Sequence, residues 1–289
     1  PPPPPPHFQA QDGIRDCTRS LVGSEMCIRD RNVVVTGAGH GLGAALAARF
    51  ARAGHAIALL DLDGEAAERR AAMISESGAR CLGLACDVAD ADDCQATLSG
   101  LLDAWDGVDL LVNNAGMTHM GGVADTDVHV LRRVMDVNFF GSVHCTKALL
   151  PTLLARRGQI VAISSVAGHA PLAMRAGYVA SKHAVQGFFE TLRAEHARDG
   201  LAVTLVCPSF VRTGIGRRAL DVHGNPGAQD QRTGVQHELG AEAAADLIFR
   251  GTMRRQRTVW VGREARLASW AHRLAPSVYE RLMIRRTMP

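Results

Sequence analysis

Residues 32–54, NVVVTGAGHGLGAALAARFARAG, decide the fold. Three consecutive valines favour a short, buried strand. The turn TGAGHGLG at 36–43 follows, and an alanine-rich run then continues as a helix to about Gly54. Glycines 37, 41 and 43 permit a tight turn, close backbone approach to a pyrophosphate, and close packing of helix on strand. Three glycines alone would be weak evidence. Set between a β-branched strand and a helix, they read as a dinucleotide-binding turn.

The same alternation continues along the chain. Apolar strands are expected at 56–60, 81–85, 108–112, 160–163, 203–206 and 258–261. Helical stretches are expected at 65–77, 128–149, 177–198 and 241–250, with a further one between the third and fourth strands. Near-continuous apolar strands separated by helices predict an α/β fold: a doubly wound, Rossmann-like parallel sheet with helices on both faces, in one domain over 32–262. Its ligand belongs at the carboxyl ends of the strands. Residues 209–240 break the rhythm with six glycines and Pro226 set among polar residues, leaving room for a short helix near 217–222, and are expected to form a lid. Residues 1–31 begin with six prolines and show no period; CTRSLVGSEMCIRDR resembles translated adapter sequence, so this leader is expected to be foreign or disordered.

Composition narrows the function. The 289 residues carry a net charge of only +3 with dispersed basic residues, which argues against a nucleic-acid surface. Seven cysteines without CxxC spacing favour a reducing, cytoplasmic setting. The twelve histidines are scattered without HExxH, so no metal site is expected. No apolar run approaches the roughly 18 residues that cross a bilayer.

A second stretch, IVAISSVAGHAPLAMRAGYVASKH at 160–183, carries the chemistry. Tyr178 is one of only two tyrosines and stands four residues before Lys182, so a helix puts both on one face. A phenol titrates near pH ~10, and a fixed ammonium beside it favours the phenolate, drawing it toward service as a general base. Ser165 lies thirteen positions upstream at a strand end, from which it can converge with the Tyr/Lys pair on one carbonyl or hydroxyl oxygen.

Asp61 falls 18 residues after Gly43, where a carboxylate accepts hydrogen bonds from a ribose diol and repels a 2′-phosphate. No Lys or Arg lies in the turn or beside Asp61, which favours NAD over NADP, although His40 is placed to help a phosphate. A plain helix-start role for Asp61 stays open. Asp87 suits either an adenine edge or a simple turn, and Asn113, Asn114, Ala115 and Gly116 suit a small-residue turn against adenosine.

Taken together, TGAGHGLG, Asp61, CDV at 86–88, NNAG at 113–116, Asn138, Ser165, YVASK at 178–182 and CPSFVRT at 207–213 resemble the short-chain dehydrogenase/reductase family over residues 32–261. The resemblance implies that Tyr178 is the general acid/base, that Lys182 lowers its pKa and binds the nicotinamide ribose, and that Ser165 orients the substrate oxygen. Asn138 would hold a water joining Lys182 to solvent; on its residue type alone it reads as a helix-bending Asn. Pro208, Val211 and Thr213 would seat the nicotinamide. Expected dinucleotide contacts are thus Gly37, His40, Gly41, Leu42, Gly43, Asp61, Asp87, Val88, Asn114, Ala115, Gly116, Tyr178, Lys182, Pro208, Val211 and Thr213. Two residues depart from the family pattern: Ser209 replaces the usual glycine after proline, and Leu42 the commoner isoleucine.

The implied reaction is hydride transfer between NAD and a hydrophobic secondary alcohol or ketone, steroid- or retinoid-like in character. Met117, His119, Met120, His169, Leu172, Met174 and Phe210 are the expected pocket wall. Two alternatives are a silent dinucleotide sensor, which should have lost part of the Ser/Tyr/Lys set, and a sugar-nucleotide epimerase or dehydratase, which usually has other glycine spacing and a larger carboxyl-terminal domain. Residues 263–289 form an amphipathic extension interrupted at Pro276. Subunit contact or a cap over the pocket is favoured over peripheral contact with a membrane surface. The family also implies a homodimer or homotetramer built on the helices at 128–149 and 177–198.

Overall fold

A computed structural model describes residues 31–227 and 238–287. The leader, apart from Arg31, and residues 228–237 of the expected lid lie outside the described residues. In chain order the strands are β1 (Asn32–Thr36), β2 (Ala56–Asp61), β3 (Cys81–Ala85), β4 (Leu110–Asn113), β5 (Gln159–Ile163), β6 (Ala202–Pro208), β7 (Val211–Arg212), β8 (Leu239–Gly240) and β9 (Thr258–Val261). The helices are α1 (Gly41–Ala51), α2 (Gly64–Ser75), α3 (Ala91–Ala104), α4 (Val128–Met135), α5 (Gly141–Ala155), α6 (Ala176–Glu195), α7 (Ala241–Met253), α8 (Arg263–Leu274) and α9 (Pro276–Thr287).

Seven strands form one parallel sheet in the order β3-β2-β1-β4-β5-β6-β9. The strand order reverses between β1 and β4, and a crevice opens there at the carboxyl ends. Alternation within β1 shows why both faces are covered. Val33 and Val35 enter a core with Leu46 and Phe50 of α1 and Ile248 of α7, whereas Val34 enters a second core with Leu98 of α3, Leu149 of α5 and Phe189 of α6. All of these side chains are fully buried, worth about 1.5–3 kcal/mol each for the larger ones. Helix starts follow the acids in the sequence: Asp63 accepts from Ala66 N at 2.9 Å, and Asp90 accepts from the amides of Asp92 and Asp93.

Two helix expectations are corrected. The long helix over 128–149 is two helices joined by a π-turn, Asp136–Phe140, where Gly141 N–H reaches back to Asp136 O, and α5 runs on to Ala155. The described part of 209–240, expected to form a lid, carries pairings of its own: β7 pairs with β8, and Leu220 bridges both His119 and Pro226. The short helix expected at 217–222 is a single 3₁₀ turn, Gly216–Arg218. Periodicity in a glycine-rich polar run could not reveal such tertiary pairings.

Candidate active site

The crevice is a cavity of about 1500 Å³. One wall is the glycine turn. Gly37 and Gly41 stand at φ +64° and +56°, conformations that disfavour side chains. A Cβ on Gly43 would lie 2.1 Å from Gly37 O, so this glycine serves helix–strand closeness. Asn114 welds the turn to β4: its Nδ2 donates to Thr36 O at 2.9 Å and Gly37 O at 3.1 Å, while Thr36 Oγ1 accepts from the amides of Asn114 and Ala115, each at 3.0 Å. Gly37, His40, Gly41, Leu42, Gly43, Asp61, Asp87, Val88, Asn114, Ala115 and Gly116 all line the cavity.

This wall fits a dinucleotide. The N-terminus of α1, free of acidic residues in its first turn, opens onto the cavity and favours a pyrophosphate. Asp61 at the end of β2 accepts from Gly39 N at 2.8 Å with Oδ2 and from Asp63 N at 3.1 Å with Oδ1, which fixes the carboxylate while leaving lone pairs for hydroxyls. Asp87 turns its Oδ1 to Ala89 N at 3.0 Å, forming a turn at the cavity edge.

The opposite wall comes from β5 and α6. Ser165 follows β5 and caps a 3₁₀ turn, Val166–Gly168, by accepting from Ala167 N at 3.1 Å. Tyr178, in the first turns of α6, is half-buried and lines the same cavity. Lys182, one turn on, is buried behind that wall; its Nζ donates to Ile163 O at 2.8 Å and lies 5.7 Å from the Tyr178 ring centroid. Burial lowers its pKa from the usual lysine range to about 8. Asn138 lies in the π-turn, its amide hydrogens donated to Met117 O at 3.0 Å and Ser181 Oγ at 2.8 Å, with Oδ1 accepting from Met117 N at 2.7 Å. A Cβ on Gly116 would stand 3.2 Å from Asn138 Oδ1 and 3.7 Å from Lys182 Nζ, so the bare glycine lets the three groups meet. Pro208, Val211 and Thr213 close the end of the cavity near the glycine turn; a Cβ on Gly41 would lie 2.8 Å from Thr213 O. Ser209 ties both its amide and its hydroxyl to Val261 O, at 2.9 and 3.1 Å.

Met117, Met120, Leu172, Met174 and Phe210 line the far end of the cavity as expected. His119 and His169 do not. His119 is fully buried, and burial followed by the nearby Arg175 charge lowers its pKa. His169 turns away to Gln186, to Cys207 Sγ at 3.3 Å, and to the Trp260 ring at 5.0 Å. Sequence reasoning missed Ser181, which sits inside the YVASK run and joins Asn138 to the Tyr178 carbonyl. The carboxyl-terminal extension, for which a cap over the pocket is one of the expected roles, lines the cavity with Leu267, Ala268, Ala271, Tyr279, Leu282 and Met283 of α8 and α9. Those helices are latched to the loop before α6 by Tyr279 Oη, which donates to Pro171 O at 3.3 Å.

A reversed-order parallel sheet with a glycine turn facing a Ser/Tyr wall defines a Rossmann-type dinucleotide-binding oxidoreductase. The family model for short chain dehydrogenases matches residues 31–221, and the chain belongs to the short-chain dehydrogenase/reductase family, oxidoreductases that use nicotinamide cofactors. It is similar to dehydrogenase/reductase SDR family member 7B of Bos taurus, 35% identical with 90% of this chain and 82% of the relative covered. It is also similar to SDR family protein 7-like of Anopheles gambiae, 37% identical with 88% of this chain and 82% of that protein covered. A short-chain dehydrogenase/reductase from Burkholderia phymatum, solved in complex with NAD, superposes with a TM-score of 0.77 at 28% identity, covering 86% of this chain and 95% of that one. Among the described residues, no helix is long and apolar enough to cross a membrane.

Proposed function

We propose that the protein is an NAD-preferring dehydrogenase/reductase acting on a hydrophobic secondary alcohol or ketone of steroid- or retinoid-like character. The observation that carries the reading is that Ser165 and Tyr178 share one cavity with the glycine turn and Asp61. Bound NAD supplies the hydride acceptor, or in reduced form the donor.

Every other requirement falls on the chain. Ser165 Oγ already accepts from Ala167 N, so its own hydrogen is available to the substrate oxygen. Tyr178 takes the hydroxyl proton in oxidation and returns it in reduction. Lys182 is cationic below about pH 8, and its ammonium, held by Ile163 O, favours the phenolate. Asn138 and Ser181 brace the first turn of α6 and keep the tyrosine and lysine in register. General acid–base help of this kind is worth about 10²–10⁴-fold, and positioning supplies much of the rest.

NAD preference is supported by the Asp61 carboxylate, which repels a 2′-phosphate, and by the NAD complex of the similar Burkholderia phymatum protein. The methionine- and leucine-lined far end supports a hydrophobic substrate. Cysteine usage supports a reducing, cytoplasmic setting. The exposed Phe140 beside half-buried Phe139 and Phe188 supports a homo-oligomer built on α5 and α6. Initial rates with NAD and NADP across steroid, retinoid and aliphatic alcohols test the reading. Turnover confined to NADP, or to small polar alcohols, would refute it.

A further inference from the structure

We propose that the outward face of α8 and α9 docks on an anionic lipid bilayer. Leu267, Trp270 and Leu274 recur at i, i+3 and i+7 on α8, so they share one face, and they are 69%, 57% and 75% exposed. Val278 and Leu282, one turn apart on α9, are 56% and 54% exposed. The two helices touch through His272 and Tyr279, whose rings are 5.4 Å apart. The opposite side is accounted for: Ala265 is buried, and Ala268 and Met283 face the cavity. Five large apolar groups on adjoining helices make a surface that soluble proteins rarely leave uncovered.

Charge selects the occupant. Residues 263–287 contain six arginines and two glutamates, and Arg266, Arg273, Arg281 and Arg285 are exposed. Apolar side chains set among arginines are what a helix needs to lie at the headgroup–acyl boundary, with guanidinium groups at the phosphates. A second copy of the same face would bring two arginine-rich surfaces together, an unfavourable juxtaposition.

Continuity with the cavity points to lipid rather than to an acidic protein. Met174, Phe210, Leu267 and Leu282 line the cavity and are also among the exposed large hydrophobic residues, so its mouth merges with the apolar face. A fluid bilayer covers such a mouth without needing a shape-matched surface, and it would deliver an apolar solute directly to it.

The test is co-sedimentation of the full chain with phosphatidylcholine vesicles, with and without phosphatidylserine, at low and high salt. The expected result is binding to the phosphatidylserine vesicles that weakens with salt, together with a blue shift of tryptophan emission. Trp270→Glu combined with Leu274→Glu should lower partitioning at least about tenfold and abolish the shift. Arg266→Gln combined with Arg273→Gln, which adds no charge to the apolar face, should weaken binding and its salt dependence together. Unfolding midpoints of both variants establish that they fold. Absence of binding by the parent chain, binding indifferent to both double substitutions, or loss of a dimer in the Trp270/Leu274 variant when the parent ignores vesicles would overturn the proposal.

Discussion

Replacing Lys182 by methionine isolates the cost of burying its ammonium. The fully buried Nζ has a pKa lowered from 10.5 to about 8 by desolvation. At about 1.4 kcal/mol per pH unit, that difference is a penalty on the folded state of about 3 kcal/mol. Because the folded pKa lies below the unfolded one, the penalty is fully present below pH 8. Between pH 8 and 10.5 the unfolded chain binds more protons than the folded one, so the native protein gains stability as pH rises through this window. Methionine removes the penalty and also the bond to Ile163 O, a charge-assisted hydrogen bond worth about 1.5–3 kcal/mol. At pH 7 the variant should therefore match the native chain or exceed it by about 1 kcal/mol, although turnover is lost. The sharper readout is the stability difference across pH. Urea unfolding of both proteins without dinucleotide should show the native chain gaining about 3 kcal/mol on the variant between pH 7.5 and 10.5. A difference flat to about 0.5 kcal/mol over that range would refute a desolvated ammonium at this position.

Other outcomes follow from the same geometry. Tyr178→Phe should abolish turnover while dinucleotide affinity, read by fluorescence titration, stays within a few-fold; retained turnover in clean protein would remove Tyr178 from the chemistry. Asp61→Ser, by removing the charge opposed to a 2′-phosphate, should raise the NADP/NAD ratio of kcat/KM at least about tenfold. Gly43→Ala would place its Cβ 2.1 Å from Gly37 O; the forced backbone shift should cost about 2–4 kcal/mol in urea unfolding and weaken dinucleotide binding.

The parallel sheet was legible because its five inner strands are buried on both faces, as in Ile160–Ile163, and buried apolar runs announce themselves whatever surrounds them. The dinucleotide wall was legible for a related reason. A turn that must bend at Gly37 and Gly41 and admit a helix at Gly43 tolerates few residue types, so it leaves a local mark. Tyr178, Lys182 and Ser165 lie within 18 residues, and the spacing of a helix and a strand end brings them together without distant help.

Histidines 119 and 169 mark the limit. Both lie near motif residues in the sequence, yet one is fully buried with its backbone bridged to Leu220, and the other is drawn off by Gln186, Cys207 and Trp260, partners 17 to 91 positions away. The break in the helix at Asp136–Phe140 is likewise tertiary, arising where Asn138 must reach Met117 and Ser181 at once. The sequence alone determined the alternating strands and helices, the glycine turn, and the spacing of serine, tyrosine and lysine, since each depends on neighbours within a few turns of chain. Only the tertiary structure decided which side chains wall the cavity, how far the lysine is desolvated, and that α8 and α9 close one end while leaving an apolar face outside. Those properties depend on contacts between separate segments, from Lys182 with Ile163, 19 residues apart, to Tyr279 with Pro171, 108 residues apart, and no local pattern encodes them.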